Sequence, residues 1–155
     1  MSRLSLHFLV TAALALAAPS AFAGSGGLLL KPHEETGGIL AVDEAFRVQP
    51  ALWQNGQLLI GIDTAPNCYL YRDKLKVTVV EPAQLSLGAS DLPPGETHHD
   101  EHFGDVKIIR DRLLARYTTP SPAVPKTVRI RYQGCAENQV CYPPQERVLN
   151  VETVR

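Results

Sequence analysis

Over residues 128–133 apolar and polar side chains alternate without a break, so Val128, Ile130 and Tyr132 share one face and Arg129, Arg131 and Gln133 the other. A period of two belongs to a strand with one buried face and cannot be laid on a helix of 3.6 residues per turn. The same grammar recurs in shorter pieces. Residues 58–62 are an apolar run closed by Asp63, Thr64, Ala65 and Pro66, and residues 68–71, 75–79, 106–109, 113–117 and 148–151 are further strand candidates. Pro93-Pro94-Gly95 and Pro120-Ser121-Pro122 break the chain where loops are needed, and a helical turn is expected only at residues 43–46. Roughly seven short strands with so little helix predict an all-β chain folded as an antiparallel β-sandwich.

Residues 1–23 have the layout of a secretory signal. Arg3 supplies the positive charge, residues 4–18 are apolar, and Ala21-Phe22-Ala23 forms a small-residue cleavage site ahead of Gly24. The apolar stretch is about fifteen residues, short of the roughly twenty that span a bilayer, so cleavage is expected rather than anchoring, and no later segment is expected to insert. Residues 24–38 then read as a Gly-rich lead-in and residues 39–155 as the folded domain, exported to the periplasm. A formal net charge of −1 gives no electrostatic reason to expect a nucleic acid or an anionic membrane as partner. Neither a Gly-rich phosphate loop nor a nucleophilic-serine motif is present, so nucleotide and hydrolase chemistry have no support.

Export also sets the redox compartment, so Cys68, Cys135 and Cys141 are read as potential disulfide partners before metal ligands. Cys135 lies at the end of the alternating strand, and Cys141 lies just before Pro143-Pro144. The five residues between them can fold as a hairpin loop that brings the two Cβ atoms to disulfide distance. A bond closing so small a ring is a modest staple, about 2–2.5 kcal/mol on the chain-entropy account against roughly 4–5 for a long loop. It suits exchange better, in which one thiolate attacks a partner disulfide and its neighbour resolves the mixed disulfide. From spacing alone, a structural disulfide fits as well. Cys68 reads as a buried core thiol.

The run His98-His99-Asp100-Glu101-His102 carries metal-ligand side chains, but five consecutive residues cannot all converge on one ion. A solvated loop without metal is expected there, and an ion-paired turn or solvated strand edge at Arg110-Asp111-Arg112. If the carboxylates of Asp100 and Glu101 lie near a thiol, their charge disfavours its thiolate and slows indiscriminate exchange.

The segment Tyr132-Gln133-Gly134-Cys135-Ala136, followed after four residues by Cys141-Tyr142-Pro143-Pro144, resembles the active-site hairpin of the N-terminal periplasmic domains of the thiol:disulfide interchange proteins DsbD. The resemblance extends upstream through Asp43-Glu44-Ala45-Phe46, Tyr69-Leu70-Tyr71-Arg72, His98, Asp100-Glu101, Gly104 and Ile109-Arg110-Asp111-Arg112-Leu113, and so covers residues from about 40 to the C-terminus. It implies an immunoglobulin-like sandwich with the redox pair Cys135 and Cys141 on a hairpin beneath a cap loop over residues 98–104. Tyr69 and Tyr71 correspond to aromatic residues near the family's site. The family's cap places an aromatic ring directly after the Asp-Glu pair as a shield against stray thiols. Here that position is His102, with Phe103 next, so either Phe103 supplies the shield or the cap is looser and pH-sensitive.

The implied activity is thiol–disulfide interchange, a protein-disulfide reductase chemistry that needs no cofactor beyond the cysteines. The more accessible cysteine, expected to be Cys141, forms the mixed disulfide. Family members pass electrons to periplasmic proteins for disulfide isomerisation and cytochrome c maturation. Because the chain ends at Arg155, its partners are expected to be thioredoxin-like periplasmic proteins or a separate membrane electron donor. The competing expectation is a non-catalytic immunoglobulin-like binding or assembly module held by a structural disulfide, with a metal carrier using the His-rich run as a third.

Overall fold

A computed structural model describes residues 38–101, 103–120 and 122–154. The expected signal, all of the lead-in but Gly38, and the cap residue His102 lie outside the described residues. One helical turn, α1 (Val42–Ala45), precedes β1 (Phe46–Val48), β2 (Ala51–Gln54), β3 (Gln57–Thr64), β4 (Cys68–Tyr71), β5 (Lys76–Glu81), β6 (Ser90–Asp91) and β7 (Glu96–Asp100). There follow β8 (Gly104–Ile109), β9 (Arg112–Thr118), β10 (Thr127–Tyr132), β11 (Gly134–Ala136), β12 (Val140–Cys141) and β13 (Gln145–Thr153). Every strand expected from alternation is present. β2, β6 and β7 carry no apolar periodicity that signals them, and the alternation of β1, Phe46-Arg47-Val48, is too short to stand out.

The strands form two sheets, one ordered β5-β10-β13-β2-β3-β9-β6 with β1 also on β3, the other β12-β11-β4-β8-β7. Pairing is antiparallel except where the end of β13 runs parallel to β2, Val151 opposite Ala51. That exception arises because β13 is long enough to pair with β10 over Gln145–Asn150 and then continue past it.

The core lies between the sheets. Leu58, Ile60 and Ile62 of β3, Leu113 and Ala115 of β9, and Val128 and Ile130 of β10 are fully buried against Cys68 and Leu70 of β4, Ile109 and Ala136. On β10 the outward residues Arg129 and Arg131 are exposed, as the alternation requires.

β4 is the exception that builds the site, because all four of its residues are buried. Cys68 and Leu70 face the inter-sheet core. Tyr69 and Tyr71 face outward and form a second, smaller cluster with Ile108 and Cys135, with Val106 packed on it.

Candidate active site

Cys135 and Cys141 stand directly opposite one another on β11 and β12 and are joined by a disulfide, with 4.0 Å between their Cα atoms. The hairpin is tied at both ends. At its base the Tyr142 N–H donates to the Gly134 carbonyl (3.0 Å), and at its tip the Glu137 N–H donates to the Asn67 carbonyl (2.8 Å). Asn138 sits in the turn at φ 58°, a left-handed conformation that asparagine tolerates better than most residues. β11 also pairs with β4, Cys135 opposite Tyr69. Behind this pairing the backbone comes so close that a Cβ on Gly134 would lie 2.2 Å from the Tyr69 carbonyl oxygen and 2.7 Å from the Phe46 ring.

The two sulfurs differ in access. Cys135 is 1% exposed, whereas Cys141 is exposed on the edge strand. Over Cys135 lies the Tyr71 hydroxyl, 3.1 Å from its sulfur and 3.8 Å from that of Cys141. The same hydroxyl donates a short hydrogen bond to the Asp100 carboxylate. Burial, and then the hydrogen bond to Asp100, hold the Tyr71 phenol far above its ordinary pKa, so its proton stays on oxygen. Asp100 is only 5% exposed, and its other carboxylate oxygen accepts the Phe103 N–H at 3.0 Å. These two donors give the buried carboxyl group hydrogen-bond partners in place of water.

The expected solvated loop is therefore corrected: residues 98–100 lie on β7, which pairs with β8 to form a two-stranded cap. Polar residues can form this strand because its inward positions, His98 and Asp100, meet polar groups and aromatic rings rather than an apolar core. Gly104 opens β8 at φ 70°, which glycine adopts without strain. Phe103 packs edge-on against Tyr71, 5.4 Å between ring centres, while staying 46% exposed.

A cleft of about 500 Å³ lies between the cap and the hairpin, lined by Tyr69, His98, His99, Asp100 and Glu101 on one side and residues 135–141 on the other. Tyr69 touches His98 at 5.0 Å between ring centres and Tyr71 edge-on at 5.6 Å. Burial raises the Tyr69 phenol above its usual pKa. The Arg110 guanidinium lies over the same ring at 5.4 Å and binds both carboxylate oxygens of Glu137 (3.0 and 3.2 Å) and Glu96 of the cap (2.6 Å). Those bonds hold its pKa above the ordinary arginine value. The expected ion-paired turn at Arg110-Asp111-Arg112 is thus found, with Arg112 bound to Asp63 at 2.5 Å.

Of the predicted site residues, the cysteines, Tyr69, Tyr71, His98, Asp100, Glu101, Phe103 and Gly104 all gather around the cleft or its cap. His99, at the rim of the cleft, pairs with Asp105 at 2.8 Å. Cys68 is buried on the opposite face of β4 from Cys135, and burial raises its pKa. Among the described residues the candidate metal-ligand group is Asp100 with the two paired sulfurs, all within 4.8 Å, and no histidine joins it. Sulfurs bonded to each other present no thiolate, the form that binds metal.

Arg110, Glu137 and Gly134 were missed as site residues. A glycine directly before Cys135 at a strand start was the available signal, since glycine in a strand marks close backbone approach. Nothing in the sequence links Arg110 to Glu137.

Comparison with known proteins agrees with this geometry. The family described as thiol:disulfide interchange protein DsbD, N-terminal, matches residues 36–153. DsbD of Pectobacterium atrosepticum is 38% identical over 140 residues, covering 90% of this chain and 24% of its own length. DsbD 1 of Pseudomonas aeruginosa is 38% identical over 117 residues, 75% of this chain and 20% of its own length. The chain thus spans about a fifth to a quarter of the curated relatives it matches. The reduced DsbD N-terminal domain of Neisseria meningitidis superposes with a TM-score of 0.64 at 28% identity, covering 74% of this chain and 90% of that one. The same holds for the structure of that organism's complex between the DsbD and PilB N-terminal domains (TM-score 0.63, 25% identity, 72% and 86% covered). With the paired cysteines on their hairpin, the tyrosines beneath the cap and a family match across the whole described fold, the chain belongs to the family of DsbD N-terminal domains.

Proposed function

We propose that this domain exchanges electron pairs with thioredoxin-like proteins of the periplasm through reversible formation of the Cys135–Cys141 disulfide, with no cofactor beyond the two sulfurs. The observation that carries this reading is the unequal access of the sulfurs, one exposed on an edge strand and one buried directly beneath it. In the reduced domain the Cys141 thiolate attacks a sulfur of the partner's disulfide, forming a mixed disulfide and expelling one partner thiolate. The Cys135 thiolate then attacks Cys141 and expels the second. The partner leaves reduced by two electrons, taking up two protons, and the domain is left oxidised. Run in reverse, the same steps recharge the domain from a reduced donor.

Tyr71 and Asp100 govern when this happens. The Tyr71 proton is committed to Asp100, so once the disulfide is reduced the phenol oxygen is placed to accept from the Cys135 thiol and has no proton to give its thiolate. It therefore favours the protonated thiol, and the Asp100 charge acts in the same sense. Phe103, packed on Tyr71, serves as the lid over Cys135, in the shielding role the sequence left open between it and His102. A partner that displaces the lid opens the Cys135 side of the pair, whereas a stray thiol that reaches the exposed Cys141 must expel Cys135 as a thiolate that the site disfavours.

The test is the reduction potential, read by equilibrating the protein against glutathione and counting thiols. A value near −180 to −270 mV, the range of exchange proteins, supports a carrier. A value below about −300 mV marks a bond that the periplasm does not break, and the structural-staple reading then wins. Cys135→Ser is expected to trap partners on Cys141 in periplasmic extracts, and Cys141→Ser is not.

A further inference from the structure

A second depression, of about 200 Å³, borders the same hairpin and is lined by Lys74, Lys76, Arg131, Tyr132, Gln133 and Pro144. Gln133 is two residues before Cys135 and Pro144 three residues after Cys141. An extended chain advances at most about 3.6 Å per residue, so these walls lie within roughly 7 and 11 Å of the cysteine Cα atoms. Lys74 joins the depression to the cap, its Nζ 4.3 Å from the centre of the Phe103 ring.

The depression concentrates the positive charges of Lys74, Lys76 and Arg131. Lys76 and Arg131 are directly opposite one another on β5 and β10, both exposed, and like charges in that position destabilise a sheet. Among the described residues none of the three cations forms an ion pair. The nearby carboxylates are engaged elsewhere: Asp73 with Arg72 at 3.1 Å and Glu146, across from Arg131, with Arg129 at 3.2 Å. This clustering occurs in a chain whose formal net charge is −1.

A protein partner that reaches Cys141 covers about 800 Å² on this side, a disc of roughly 16 Å radius, which is wide enough to reach Gln133 and Pro144 at the edge of the depression. Resting on the exchange reading, we infer that the Lys74–Lys76–Arg131 depression is a docking surface for an acidic segment of the protein whose disulfide is exchanged at Cys141. The cleft on the cap side carries the carboxyl groups of Asp100 and Glu101 instead, Glu137 being bound to Arg110. Separate regions of opposite sign around one sulfur select partners and set the orientation in which they dock, an effect that appears in association rate and its salt dependence.

The test uses the reduced protein and two synthetic peptide disulfides, identical around the cystine but flanked by glutamates in one and lysines in the other, with neutral 2-hydroxyethyl disulfide as reference. The acidic peptide is expected to react about tenfold faster at low salt, with most of that preference lost in about 1 M salt, where the screening length is near 3 Å. The double variant Lys76→Gln, Arg131→Gln, which leaves the Lys74 contact with Phe103 in place, is expected to lose most of the preference and keep its rate with the neutral disulfide. Equal rates for the two peptides, or an undiminished preference in the double variant, would overturn the docking surface and leave exchange standing. Failure of all three disulfides to react would overturn the exchange reading and this one with it.

Discussion

Replacing Asp100 by asparagine removes one charge from beneath the cap while keeping the side chain's shape. Its carboxylate oxygen lies within 4.8 Å of both sulfurs. At an effective dielectric of about 20 that distance corresponds to roughly 3.5 kcal/mol of repulsion toward a thiolate, and in bulk water to about 0.9. The cleft is solvent-facing on the Cys141 side, so the effect falls between these limits, and the first apparent pKa of the reduced pair should drop by about 1 to 2. The hydrogen bonds act in the same direction, because a Tyr71 hydroxyl held less firmly by the neutral amide is able to donate to the Cys135 sulfur. Each tenfold gain in thiolate is partly offset by weaker nucleophilicity, leaving about 3- to 12-fold faster reaction at neutral pH. The assay is the pH dependence of thiolate absorbance together with the alkylation rate by iodoacetamide, on the reduced variant and on reduced wild type. Glu101→Gln, at an exposed position, is expected to change both less. An unchanged pKa and alkylation rate in an Asp100→Asn protein that still forms its disulfide would refute the thiol-stabilising role of this carboxylate.

Two further outcomes concern stability. Gly134→Ala places a methyl group against the Tyr69 carbonyl, which cannot retreat without parting β11 from β4, and against the buried Phe46 ring. A loss of about 1–3 kcal/mol is expected by urea unfolding of the oxidised protein, and an unchanged midpoint would contradict the close approach. Burial raises the Tyr117 pKa to about 12. Between the unfolded value near 10 and that value the folded state holds a proton that the unfolded state has lost, so stability falls as pH rises through this window, by about 2–3 kcal/mol in all. Tyr117→Phe should flatten that part of the stability profile, and an equally steep alkaline loss in the variant would show that Tyr117 is not its source.

The strands that carry the core were legible because one face of each is apolar, most plainly on β10. The cysteine pair was legible because the expected export, the short spacing and the adjoining strand all bear on the same hairpin. The cap strand β7 was not, since Glu-Thr-His-His-Asp has no apolar alternation. Its periodicity is real, but its inward residues, His98 and Asp100, face a tyrosine ring and a hydroxyl. The burial of Asp100 depends on the Tyr71 hydroxyl, 29 residues away in the chain, and on the Phe103 N–H. Arg110 is similar. Its partners Glu96 and Glu137 come from the cap and the hairpin, and only the folded chain brings them to one guanidinium. Polar sites assembled from distant segments leave no periodic trace, whereas apolar faces do.

A domain that shuttles between dithiol and disulfide must keep its shape when the bond opens, and the distribution of contacts here meets that demand. The Cys135–Cys141 ring is small, so its chain-entropy contribution is only about 2–2.5 kcal/mol. The inter-sheet core is built from β3, β9, β10 and the inner face of β4, none of which the disulfide crosses. The hairpin itself is held by other bonds: β11 to β4, the Tyr142 N–H to Gly134, the Glu137 N–H to Asn67, and the Glu137 carboxylate to Arg110. Breaking the sulfur–sulfur bond therefore leaves the two thiols facing each other in a frame that persists without it. Under the proposed exchange, such a frame would keep the resolving sulfur beneath the attacking one while the bond is open. A structural staple would be expected to cross between elements that are otherwise weakly joined, and this bond lies within a single hairpin already fastened on both sides.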